Sequence, residues 1–107
     1  MIKNQYKDGK HHGFWEFYDA NGNIRSKGYF KADKRHGYWE YYFSNGNLCT
    51  KGDFKTDKRH GYWKKYFSNG KLRAKGNYLN GKHHGYWESY PYAKINKYDV
   101  LKQHIYI

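Results

Sequence analysis

Residues 38–54 read YWEYYFSNGNLCTKGDF, and the pair Asn45-Gly46 near its centre decides the fold. Asn-Gly between two runs of strand formers is the strongest short hairpin signal, because a two-residue type I′ turn needs positive φ at both central positions. YWEYYF (38–43) is rich in strand-favouring residues, and LCTKGDF (48–54) reads as the return strand. A turn at 45–46 places Phe43 opposite Leu48, Tyr42 opposite Cys49, Tyr41 opposite Thr50, Trp39 opposite Gly52 and Gly37 opposite Phe54. Side chains alternate between the two sides of a sheet, so Trp39, Tyr41 and Phe54 share one face. The other face carries Tyr42, and Glu40 opposite Lys51. Two expectations follow. The ring of Trp39 covers Gly52 across from it, as aromatic residues cover strand glycines. Glu40 neutralises Lys51, and Glu16 neutralises Lys27, each pair contributing roughly 0.2–1 kcal/mol.

Outward from this stretch the same letters return. KRHGYW stands at 34–39 and again at 58–63. His12, His36, His60 and His84 are 24 residues apart, each followed by glycine; Trp15, Trp39, Trp63 and Trp87 keep that interval, as do Lys10, Lys34, Lys58 and Lys82. Asn-Gly recurs at 21–22, 45–46 and 69–70, and Lys-Gly at 27–28, 51–52 and 75–76. A fixed period of this length marks a repeat architecture. Glycine is too frequent for helix, and no 3.6-residue period survives. The expected fold is all-β: an elongated antiparallel meander of stacked 24-residue hairpins, one domain over 1–107. A half-repeat (1–12) opens it, repeats follow at about 13–36, 37–60 and 61–84, and 85–107 is a degenerate repeat or cap. Residues 2–7 read as the tail of a return strand, since Lys3 and Tyr6 stand 24 before Lys27 and Phe30. KTDKRHG (55–61) reads as a link between hairpins. The tail from 89 onward holds Pro91 and no Asn-Gly. Proline belongs at sheet edges, and repeat arrays need atypical ends; whether YDVLKQH (98–104) is helix or strand is open.

Composition fits such a sheet. Hydrophobic residues make up 37%, yet aromatic residues reach 22%, with 14 tyrosines and 4 tryptophans. Disordered chains are poor in aromatic residues, so thin layers of half-buried rings are expected in place of an aliphatic core. The net charge of +12 favours acidic partners. Cys49 is the only cysteine, which leaves no intrachain disulfide and no cysteine metal site. The opening MIKNQYKDGK has no apolar core, and no run approaches a membrane span, so a cytoplasmic protein is expected.

The pattern G-(Y/F)-W-x-x-Y-x-x-N-G-x-(L/I)-x-x-K-G-x-(F/Y), followed by K-x-H-G, resembles the MORN-repeat family over residues 6 to 90. It is closest to the variant found in bacterial proteins called YwqK-family antitoxins. The resemblance implies stacked hairpins in an elongated, twisted sheet. It also implies a non-catalytic module that binds proteins or, in some eukaryotic members, lipid headgroups.

The chemistry of the residues agrees with binding over catalysis. Equivalent histidines two strands apart are about 10 Å from one another, too far for one zinc shell, so no metal and no cofactor are expected. No glycine-rich phosphate loop precedes a helix, and no catalytic residues stand out. The tryptophans are assigned to the core. The tyrosines of the opposite face, with basic residues interleaved, form the expected contact surface, since Tyr and Arg suit interfaces. The candidates are Tyr38, Tyr42, Lys51, Tyr62, Lys64, Tyr66, Arg73 and Lys75, with Arg35 and Arg59 from the basic KRH stretches along one edge. Lys64 faces Lys75, so the third hairpin is expected to be the most basic. An acidic protein is the expected partner: the reading is an antitoxin-, immunity- or inhibitor-like protein that blocks a macromolecular target. Nucleic acid, a nucleotide or another phosphorylated ligand is the alternative, on the same face. An anionic membrane surface ranks below both, and sheet edges offer a route to oligomers.

Overall fold

Short runs of aromatic and β-branched residues, punctuated by glycine every few positions, pair most readily with their immediate neighbours in sequence. The structure, a computed structural model, describes residues 2–91 and 103–106. The strands are β1 (Gln5–Lys7), β2 (Lys10–Tyr18), β3 (Ile24–Lys31), β4 (Lys34–Tyr42), β5 (Leu48–Lys55), β6 (Lys58–Tyr66), β7 (Leu72–Leu79), β8 (Lys82–Ser89) and β9 (Gln103–Tyr106). They form one nine-stranded sheet in chain order, β1 to β9. Every neighbouring pair is antiparallel. There is no helix among the described residues. The molecule measures 53 × 34 × 19 Å, the elongated meander that the repeat implied. Of the expected cap, β9 lies along β8; residues 92–102, including most of YDVLKQH, are outside the described residues.

The Asn-Gly turns differ from the two-residue reading. Gly46 N–H donates to Phe43 O (2.9 Å), and Phe43 N–H donates to Asn47 O (2.8 Å). Gly46 has φ 91°, whereas Asn45 is not among the residues with positive φ. This is a three-residue loop, Ser44-Asn45-Gly46, with glycine in the left-handed position. Tyr42 therefore faces Leu48 and not Cys49, and Phe43 closes the loop. The next pair is Tyr41 with Thr50, which leaves Cys49 as the extra residue of a β-bulge. Loop and bulge offset each other, so Trp39 still meets Gly52 and Glu40 still meets Lys51. The first and third hairpins repeat the device, with Arg25 and Arg73 as the extra residues.

The type I′ turns lie at the other ends of the strands. Ala32-Asp33 and Thr56-Asp57 have positive φ at both positions, as do Asp8-Gly9 and Asn80-Gly81. What reads as a link at 55–61 is thus a two-residue hairpin tip, with Lys55 paired to Lys58, followed directly by β6. Ala32 and Thr56 carry none of the usual I′ chemistry, and a β-branched residue at φ 48° is strained. Backbone bonds seat each tip on the hairpin before it: Asp33 N–H to His11 O, Asp57 N–H to Arg35 O, Gly81 N–H to Arg59 O.

The KRHGYW stretch has its explanation in the core. Between Gly28 and Phe30 the register moves two residues on β3 and four on β4, from Trp39 to Arg35. Gly37 sits in that bulge at φ 91°, and Gly61 and Gly85 recur in the same way at 77° and 75°. The detour turns Trp39 onto the preceding hairpin. A Cβ added to Gly28 would overlap the Trp39 ring, one on Gly52 the Trp63 ring, and one on Gly76 the Trp87 ring. Trp39 therefore covers Gly28 and not Gly52: the interlock joins successive hairpins, not the two strands of one. Each indole N–H also donates to a carbonyl ten residues back: Gln5 for Trp15, Tyr29 for Trp39, Asp53 for Trp63 and Asn77 for Trp87, at 2.8–3.0 Å. Trp39 (1% exposed) and Trp63 (0%) form the centre of the core with Phe54, Tyr78 and Trp87. Phe30, Phe54 and Tyr78 stand edge-on between successive tryptophans at 5.0–6.2 Å, a favourable geometry for ring pairs.

Candidate functional site

The face opposite the tryptophans carries one residue per strand in a row: Glu16, Lys27, Glu40, Lys51, Lys64, Lys75 and Glu88 on β2 to β8. Opposite charges adjoin until β5, where three lysines follow one another. Glu16 accepts from Lys3 (2.5 Å) and Tyr18 (2.9 Å). Glu40 accepts from Tyr38 (2.7 Å) and Tyr42 (2.5 Å), and Glu88 accepts from Tyr90 (2.7 Å). Each acid accepts from a tyrosine two residues away in sequence, and Glu40 from two. Burial opposes ionisation of Glu40, but the Tyr42 and Tyr38 hydroxyls outweigh it and hold the carboxyl below its ordinary value. Burial first, and then the bond to Glu40, push both tyrosines well above theirs.

The ion pairs run backward between hairpins. Glu40 pairs with Lys27 at 3.6 Å, not with its hairpin partner Lys51, and Glu88 pairs with Lys75 at 3.6 Å. This corrects the expected compensation in two places. Lys75 is neutralised from β8, and Lys51 stands beside Lys64 with no ion pair among the described residues. The gap in the ladder is therefore Lys51–Lys64, between the exposed rings of Tyr38 (43%) and Tyr62 (49%). Lys64 Nζ lies 5.9 Å from the Tyr62 ring centre. A shallow depression of about 260 Å³ is bordered by Tyr38, Lys51, Asp53, Tyr62 and Lys64. Tyr66, the last residue of β6, does not border this depression and lies instead beside the cleft between the second and third hairpins.

The remaining candidates lie elsewhere. Arg35 is on the tryptophan face, its guanidinium 4.2 Å from the Phe54 ring centre. It donates to Asp57 Oδ1 (2.6 Å) and to the Tyr41 hydroxyl (2.9 Å). Arg59 is on the same face, 5.5 Å and 5.6 Å from the ring centres of Trp63 and Tyr78. Arg73, the extra residue of its bulge, borders a cleft with Arg59 and Lys65. The KRH and KHH stretches begin strands and do not form a free edge stripe. His11 and His83 pack against Trp15 and Trp87, with ring centres 4.3 Å and 4.0 Å apart. The sequence reading left out Lys65, which lies 5.5 Å from Tyr78 and 5.3 Å from Trp87. Its signal was available: Tyr41 and Phe17 hold the equivalent places 24 and 48 residues earlier. No three His, Cys, Asp or Glu side chains converge among the described residues.

Comparison with known proteins agrees with this architecture. No curated protein matches the chain. The family profile described as "MORN repeat variant" matches residues 12–32, 35–56 and 59–80, each spanning a hairpin and its return strand, together more than half of the sequence. With its glycine–tryptophan interlocks and three tandem matches, the chain belongs to the MORN repeat variant family.

Proposed function

We propose that this chain is a non-catalytic binding module that holds an acidic segment of another protein on its tyrosine face. The observation that carries this reading is the interrupted charge ladder. Elsewhere on the face each glutamate is satisfied by at least one tyrosine and a lysine; Lys51 and Lys64 adjoin each other with no ion pair among the described residues, although Asp53 borders the same depression. Like charges opposite one another destabilise a sheet, and an acidic partner relieves that cost. Tyr38 and Tyr62 add ring surface of the kind that anchors interfaces. The strands on both sides hold this surface in place before binding, which lowers the ordering cost. Such docking suits an antitoxin-, immunity- or inhibitor-like protein that occludes its target, the role suggested by the likeness to YwqK-family antitoxins.

Affinity capture with the purified protein and its Lys64→Glu variant tests this. The expected result is one stoichiometric protein, retained by the parent and lost by the variant. Recovery of nucleic acid alone rejects it. The net charge of +12 supports nucleic acid as the second reading. A mobility-shift titration at two salt concentrations separates the readings, because charge-driven nucleic-acid binding weakens steeply with salt.

A further inference from the structure

The tryptophan face offers a second, independent feature where the second and third hairpins meet. A cleft of about 430 Å³ opens between their loops. Arg59, Lys65 and Arg73 border it with Thr50 and Ser68, and no carboxylate lines it. None of the three cations has an ion pair among the described residues. Arg59 and Lys65 both stand over the ring of Tyr78, at 5.6 Å and 5.5 Å. Two positive groups held over one ring repel each other, so the arrangement calls for an anion.

The preceding hairpin explains how the cleft arose. There Arg35, the equivalent of Arg59, is satisfied by Asp57 and Tyr41. Moving 24 residues on, Asp57 becomes Gly81 and Tyr41 becomes Lys65. Both partners of the arginine are thus missing, and one is replaced by a further cation. Burial first, then the charges of Lys65 and Arg59, push the His83 imidazole below its ordinary value, in line with a positive field reaching across β8. Arg73 adds a third cation from the bulge of β7. Cations from different positions around one cleft match the several oxygens of a tetrahedral dianion, and the guanidinium fork suits phosphate oxygens. The volume is that of a small-molecule site.

We propose that this cleft binds a small soluble phosphomonoester, with Arg59, Lys65 and Arg73 as the phosphate ligands. The site is separate from the tyrosine face, and either can fail without the other. The test is thermal unfolding at fixed ionic strength with inorganic phosphate, adenosine monophosphate, adenosine or chloride, since a ligand of the folded state raises Tm in step with the logarithm of its concentration above Kd. Phosphate and adenosine monophosphate are expected to raise Tm; adenosine and chloride are not. The double variant Lys65→Tyr/Gly81→Asp transplants the second hairpin's arrangement and is expected to keep its unliganded Tm while losing at least about tenfold in affinity. If that variant does not fold, Arg73→Gln provides the same loss. Lys64→Glu, on the opposite face, is expected to bind phosphate like the parent even where it loses the protein partner. No rise in Tm with phosphate or adenosine monophosphate overturns the proposal. So does an equal response to chloride, unchanged affinity in both cleft variants, or binding only to phosphatidylcholine vesicles carrying phosphatidic acid.

Discussion

The second and third hairpins, β4–β5 and β6–β7, share their backbone and differ in chemistry on both faces. Each has a three-residue loop, a one-residue bulge after it, a buried tryptophan and a glycine that receives the next tryptophan. On the tyrosine face the second hairpin has Glu40 held by Tyr38, Tyr42 and Lys27; the third has Lys64 in that place. On the tryptophan face the second has Arg35 satisfied by Asp57 and Tyr41; the third has Arg59 with neither. The difference teaches that the fold resides in glycine, tryptophan and turn positions. The places left over are free to diverge, and there the third hairpin has exchanged local satisfaction for uncompensated positive charge.

The strongest way to break this comparison is to remove the shared core. Trp63→Ala is expected to cost about 3–5 kcal/mol, and Trp39→Ala a similar amount. Urea unfolding checks both, and an unequal pair means that the hairpins do not share one packing. Next in size, Gly52→Ala is expected to destabilise by about 1–3 kcal/mol, because its Cβ would meet Trp63 in the next hairpin. The indole N–H resonances in an NMR spectrum identify the ring disturbed; an unmoved Trp63 signal contradicts the link between hairpins.

These two positions also mark what the sequence made legible. The 24-residue period, the tryptophan core, and the pairing of Trp39 with Gly52 and Glu40 with Lys51 all followed from the repeat and one turn. The pairing survived a wrong turn type only because the bulge at Cys49 restores the count that the longer loop removes. Nothing in a cysteine or in Arg25 and Arg73 signals a bulge. The I′ tips at Ala32-Asp33 and Thr56-Asp57 were hidden because those residues are poor choices for left-handed backbone. Of the site, the tyrosine–lysine face was legible from alternation. Which lysines lack an acid was not, because ion pairs form to the preceding strand, and the order of hairpins across the sheet decides that. Arg35 and Arg59 were assigned to an edge stripe because the stretches before Gly37 and Gly61 read as links; both lie inside strands, four residues from Trp39 and Trp63 and so on the tryptophan face.

The tips offer a smaller test. Thr56→Asn, which copies Asn80 of the fourth tip, is expected to stabilise by about 1 kcal/mol through relief of left-handed strain, read as a rise in Tm. Lys64→Glu sharpens the comparison further by giving the third hairpin the acid of the second. It is expected to add about 0.2–1 kcal/mol per restored pair and to leave the circular dichroism spectrum unchanged. The smallest effect concerns acid. The Arg35 side chain holds the Asp57 carboxyl below its ordinary value of 3.8. A depressed folded pKa contributes stability above the ordinary value and loses it as pH falls through the folded one. Asp57→Asn is therefore expected to flatten part of the stability decline below about pH 4, whereas Arg73→Gln in the third hairpin leaves that limb unchanged.

The backward reach of every tryptophan gives the sheet a direction. Trp39, Trp63 and Trp87 each close on a glycine and a carbonyl already supplied by the strand before. A chain leaving the ribosome N-terminus first can therefore lock one hairpin at a time, each on a finished template, without waiting for its end to appear. Truncation from the C-terminal side would then shorten the ladder by whole rungs, while loss of early residues would undo the seat of all that follow.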